Sequence, residues 1–183
     1  FLCVRNPMDH HQVSRINLSP EVIDCIVFWT KNPVPMFPYL DEFSSYMYYF
    51  QFTLTGYGRE IEPGLPDKKK VLIPAFRELA DRIGKERMVW RYDPVFLSDR
   101  YTLDYHVKAF AQIAEALAGK TQRVVISFLD DYEKTKRNMK GYGIRDLTEE
   151  KMRRLAQGLA RIAGGYGMEI QTCAEKIDLS EYG

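Results

Sequence analysis

Short apolar runs recur along the chain, and several stop abruptly on a cation, a polar residue and a proline. Cys25-Ile26-Val27-Phe28-Trp29 gives way to Thr30-Lys31-Asn32-Pro33. Phe1-Leu2-Cys3-Val4 precedes Arg5-Asn6-Pro7, and Met88-Val89-Trp90 precedes Arg91-Tyr92-Asp93-Pro94. A continuous apolar run rich in β-branched and aromatic residues reads as a strand buried on both faces, as in a parallel sheet. Residues 48–55, 123–129 and 168–173 read as further strands.

Between these runs the apolar period changes to that of a helix. Leu40, Phe43 and Tyr46 share a face and predict a short helix over 36–46. Phe76, Leu79, Ala80 and Ile83 form a stripe closed by Gly84, with Pro74 marking either the helix start or a kink. Thr102 caps a helix with the stripe Leu103, Val107, Phe110, Ala114 and Leu117, and Gly119 ends it. Thr148 caps another, with Glu149 and Glu150 in its first turn and the stripe Met152, Leu155, Leu159 and Ile162. Residues 12–18 alternate loosely, as a short extended segment, and Ser19-Pro20-Glu21 leaves room only for a turn. Gly56, Gly58, Pro63, Gly64 and Pro66 punctuate a long loop, and such loops at strand ends are commonly functional.

Strand and helix alternate with about six strands and no clear hairpin signal. The expectation is an α/β fold: a partial TIM-type (β/α) barrel of mostly parallel strands, occupying residues 1–183 as a single domain. No glycine-rich phosphate loop follows any strand, so a dinucleotide-binding fold has no support. Phe1 falls in the middle of an apparent strand and Gly183 lacks a closing helix, so both ends read as cut from a longer protein.

Composition narrows the classes. Hydrophobic residues make up 45% and charged residues 28%, normal for a soluble globular protein. A net charge of +1 argues against a bulk electrostatic partner. Cys3, Cys25 and Cys173 are odd in number and far apart, which reads as reduced, buried thiols in a cytoplasmic protein. There is no CxxC pair, no signal peptide and no apolar run near the ~20 residues that cross a membrane.

In parallel α/β folds, ligands bind at the carboxyl ends of the strands. Those ends here carry Arg5, Asn6, Lys31, Asn32, Thr53, Thr55, Arg91, Asp93, Ser127, Asp130 and Glu175. Cations beside amides and hydroxyls suit an anionic or oxygen-rich small molecule. Arg91 offers a planar fork, Asp93 an acceptor for a cation or a ribose hydroxyl, and Glu175 an acid, a base or an amine partner. The plain alternative is that these groups cap strand ends and bind one another. Lys68, Lys69 and Lys70 read as a solvated face, and His106 as an outward helix residue. His10 and His11 lack metal-ligand spacing.

The stretches VRNP, VSRINLSPE, IVFWTKNP, YYFQFTLTGYG, KKKVLIPAF, IGKERMVWRYDPV, VISFLDDYEKTKRNM and CAEKIDL together resemble the domain-of-unknown-function family numbered 1848. That family is similar to the radical SAM enzymes and, more loosely, to spore photoproduct lyase. The resemblance implies a partial barrel, an earlier strand, and a following cysteine-rich segment holding a [4Fe–4S] cluster. Those cysteines are not in this sequence, and Cys173 matches the CAE motif, so cluster ligation is not carried onto it and no metal ligand is assigned here.

The expectation is the barrel portion of a radical-SAM-like enzyme, with S-adenosylmethionine and a nucleotide-like or other small substrate at the strand ends. It would be inactive without the cluster segment. Lys31, Asn32, Thr53, Arg91 and Ser127 would contact the cofactor, and Arg5, Asn6 and Trp29 the substrate. Asp93 and Glu175 would be catalytic. Two other readings stay open. One is a cluster-independent barrel hydrolase or lyase for a phosphorylated or sugar-like substrate, with Asp93 and Glu175 as acid and base. The other is a non-catalytic nucleic-acid-binding module using Lys68 to Lys70 and the basic residues 134–140, flanked by Tyr132 and Tyr142.

Overall fold

Five strands form one wholly parallel sheet in the computed structural model, which describes residues 1–129, 141–173 and 182. They are β3 (Ile26–Thr30), β4 (Tyr48–Thr53), β5 (Met88–Val95), β6 (Arg123–Phe128) and β7 (Glu169–Thr172). Their spatial order is their chain order. A short 3-10 helix, Val34–Phe43, connects β3 to β4. Helices α1 (Ile73–Ile83), α2 (Leu103–Ala116) and α3 (Glu149–Gly165) make the remaining crossovers.

Alternation along the strands divides the sheet into two chemically different faces. Phe50 and Phe52 of β4, Trp90 and Tyr92 of β5, and Val124 and Ile126 of β6 are all buried. They share one core with Phe76 of α1, Phe110 of α2 and Leu155 and Leu159 of α3. The contacts are aromatic and close: Trp90 stacks on Phe110 at 4.5 Å and Phe52 meets Phe76 at 5.1 Å. Each such side chain contributes about 1.5–3 kcal/mol by leaving water, the main force holding the helices to this face.

The expected helix limits hold where capping chemistry set them. Thr102 accepts from the Tyr105 amide at 3.2 Å and Thr148 from the Lys151 amide at 3.4 Å. Pro74 sits in the first turn of α1 because a π-helical turn, Lys68–Leu72, leads into it.

Four expectations are corrected. The run beginning at Phe1 is not a buried parallel strand: Leu2–Arg5 (β1) pairs antiparallel with Val13–Ile16 (β2) in a separate two-stranded sheet, exposed throughout. Its connecting loop is built from side-chain turns, Asn6 Oδ1 accepting from the Met8 amide at 2.9 Å and Asp9 Oδ1 from the His11 amide at 3.0 Å. Among the described residues there are therefore five strands in the parallel sheet plus two in the hairpin, against about six expected. Strand β3 lies at the sheet edge, so it is not buried on both faces: Val27 is 46% and Trp29 63% exposed. The three cysteines, read as buried, are exposed free thiols.

Candidate functional site

On the sheet face opposite the helices, alternation places Trp29, Gln51, Thr53, Arg91, Asp93, Ser127 and Cys173 at or beyond the carboxyl halves of the strands. Register brings them side by side, with Trp29 opposite Gln51 and Thr53 opposite Arg91. This face is polar where the other is aromatic.

Arg91 is its centre. It is 4% exposed, unusual for an arginine, and it is held by side-chain acceptors on two neighbouring strands. Asp93 Oδ2 accepts from its Nε at 2.9 Å and also from Nη2. Gln51 Oε1 accepts from Nη1 at 2.6 Å. The Trp29 indole covers the guanidinium plane, with Cζ 4.2 Å from a ring centroid, and its Nε1 donates to Thr53 Oγ1 at 3.2 Å. Burial, the largest influence, lowers the Arg91 pKa. Hydrogen bonds to Asp93 and the Cys173 thiol outweigh it and leave it above its ordinary value. The guanidinium has more N–H donors than the Asp93 and Gln51 contacts use. A carboxylate or phosphate reaching this face would meet a fixed, desolvated cation under an aromatic plate.

A second cluster stands at the ends of β3 and β4. Glu62, from the long loop, takes Lys31 on Oε1 and Lys68 on Oε2. Oε2 also accepts from Thr55 Oγ1 at 2.8 Å. Lys68 Nζ further donates to the Thr55 carbonyl at 2.9 Å and the Tyr57 carbonyl at 2.6 Å. Burial, the largest influence, raises the Glu62 pKa, but the two ammonium groups outweigh it and hold it below the usual carboxylate value. Burial likewise lowers Lys68, and Glu62 only partly restores it. One loop carboxylate thus fastens two lysines and the loop to the strand ends. Lys68, expected on a solvated face with its two neighbours, is folded into this cluster, while Lys69 and Lys70 are exposed.

Behind the loop lies an aromatic group in which Tyr57 stacks on Phe96 at 4.6 Å. His106, expected on the outside of its helix, is fully buried there. Its Nε2 donates to the Phe96 carbonyl at 2.9 Å, and Nδ1 lies 3.0 Å from the Tyr92 hydroxyl, which donates to it when the ring is neutral. Burial, partly offset by the Phe96 carbonyl, lowers its pKa.

The expected site residues therefore separate. Trp29 and Thr53 form one hydrogen-bonded pair and Arg91 and Asp93 another, joined by the contact of the indole with the guanidinium. Lys31 joins Glu62, Lys68 and Thr55. Asn32 Oδ1 accepts from the Val34 amide at 3.3 Å, shaping the turn after β3. Ser127 is half-buried on β6. Arg5 and Asn6 belong to the exposed hairpin, where Asn6 Nδ2 donates to Gln12 Oε1 at 2.6 Å. Asp130, Glu175 and the basic residues 134–140 lie outside the described residues.

Gln51 and Glu62 were missed. The one polar residue inside the aromatic run Tyr48–Thr53 marked Gln51; nothing periodic marked Glu62 in its loop. Among the described residues, no group of three or more His, Cys, Asp or Glu stands together to hold a metal ion. The described donors thus do not fit an iron–sulfur cluster.

Fold and site together define an α/β protein built on a parallel sheet, with a polar face at its strand ends. The sequence model of one family matches residues 1–183, and the chain belongs to that family, the domain of unknown function DUF1848. Searches of the curated proteins and of the solved structures each found no match.

Proposed function

We propose that this chain is the barrel portion of a radical-SAM-like enzyme. In this reading, the polar sheet face is the chamber for S-adenosylmethionine and a small substrate. The observation that supports it most is the buried Arg91–Asp93 pair, roofed by Trp29 and flanked by Gln51 and Thr53, at the carboxyl ends of parallel strands. Five parallel strands in chain order are what an arc of a (β/α) barrel contains, and the polar face would be its lumen. Arg91 would take the carboxylate of the methionine part, and the Trp29 ring would offer an apolar plate to the nucleoside. The cluster would come from other residues.

Calorimetric titration with S-adenosylmethionine tests the reading. Binding is expected in the wild type, weakened about tenfold or more in Arg91→Ala and in Trp29→Ala. Unchanged affinity in both variants would remove the chamber from this face. Reconstitution with iron and sulfide is expected to leave the chain without a stoichiometric cluster; bound iron in cluster ratio would overturn that part.

A further inference from the structure

A second concave region, lined in part by α2 and α3, lies on the helical side of the sheet. A cavity of about 590 Å³ opens there, floored by Leu103, Val107 and Leu155. That is within the ~300–1,000 Å³ of small-molecule sites. Its wall is strongly cationic. Lys151, Arg154, Gly158 and Arg161 all line it, and their spacing puts them on one stripe of α3. Gly158 matters to the shape: a Cβ there would point at Val107 Cγ2, 3.8 Å away, so its absence leaves the middle of the stripe hollow between two arginines.

The cations differ in how they are used. Arg145 is paired with Asp99 at 2.5 Å, and Lys151 Nζ donates to the Asp146 carbonyl at 3.0 Å. Arg154 and Arg161 have no carboxylate partner among the described residues. Asp104 is the one carboxylate in the lining among the described residues. Two guanidiniums without a carboxylate partner among the described residues, a small apolar floor and a half-open concave shape suit a ligand with an anionic head and an apolar body.

We propose that this cleft binds a small phosphate monoester, with Arg154 and Arg161 on the phosphate and Leu103, Val107 and Leu155 under the organic group. Guanidinium forks match phosphate oxygens in pairs, which favours phosphate as the head group. The concave shape favours a small molecule over a nucleic-acid strand, which would need an extended groove. This site is separate from the Arg91 face, because α2 and α3 pack on the other side of the sheet.

The test is calorimetric titration of the chain with phenyl phosphate, inorganic phosphate, phenol and a single-stranded oligonucleotide. Phenyl phosphate is expected to bind, with inorganic phosphate and phenol each about tenfold weaker or more. The paired substitution Arg154→Ala with Arg161→Ala should weaken phenyl phosphate by about tenfold or more while circular dichroism stays unchanged. Gly158→Leu, which fills the cleft and keeps both arginines, should also abolish binding. The proposal fails if phenyl phosphate gives no binding, if the paired variant binds it equally, or if the oligonucleotide binds more tightly than phenyl phosphate.

Discussion

At the scale of single residues, the buried polar groups of this protein are committed to partners. No buried side-chain nitrogen or oxygen among the described residues lacks a hydrogen bond. That satisfaction has a pH signature. His106 has a folded-state pKa below its ordinary value of 6.5, so the unfolded chain takes up its proton first on acidification. Stability is therefore lost as pH falls below about 6.5 and on through the folded pKa. Glu62 acts at lower pH: its lowered pKa gives stability that is present above 4.5 and lost as pH falls through the folded value. Melting temperature measured from pH 7 down to about 5 should fall less steeply in His106→Gln than in the wild type. Equal slopes would mean that His106 is not a neutral ring in the folded protein.

At the scale of elements, the long loop after β4 is held against α2 by close backbone approach. Tyr105 donates its hydroxyl to the Gly56 carbonyl at 2.6 Å, and a Cβ on Gly56 would come within 2.7 Å of Ala109 Cβ. That distance is shorter than packed carbons tolerate, so Gly56→Ala is expected to cost about 1–3 kcal/mol in urea unfolding. Deleting the ring that ties α2 to the sheet should cost more. Phe110 stacks on Trp90 and is fully buried, and Phe110→Ala is expected to lose about 3–5 kcal/mol. If the two variants ranked the other way, loop closure rather than core packing would dominate the stability of this region.

At the scale of the whole molecule, the parallel sheet begins on an edge strand. Strand β3 pairs with β4 alone among the described residues, and it carries exposed Val27 and Trp29. An edge of this kind is a template for pairing with another chain. Sedimentation at increasing concentration should show self-association that Val27→Lys reduces; association unaffected by that charge would place the contact elsewhere.

What the amino-acid pattern determined alone was local. Apolar runs named the strands of the parallel sheet, and the stripes and caps at Thr102 and Thr148 placed their helices, because period and capping depend on near neighbours. The strand-end polarity of Arg91, Asp93, Thr53 and Lys31 was also visible there. Tertiary structure decided what depends on distant partners. The first apolar run could pair in a sheet or fold back as a hairpin, and only its contacts chose the hairpin. The indole of Trp29 became the roof of Arg91 because β3 and β5 both pair with β4. Glu62 and Lys68 met because a loop without periodicity folded over the strand ends. His106 turned inward because Tyr92 and Phe96, from another element, satisfied both ring nitrogens. Burial of a polar group is set by the partners that replace water, and those partners came from elsewhere in the chain.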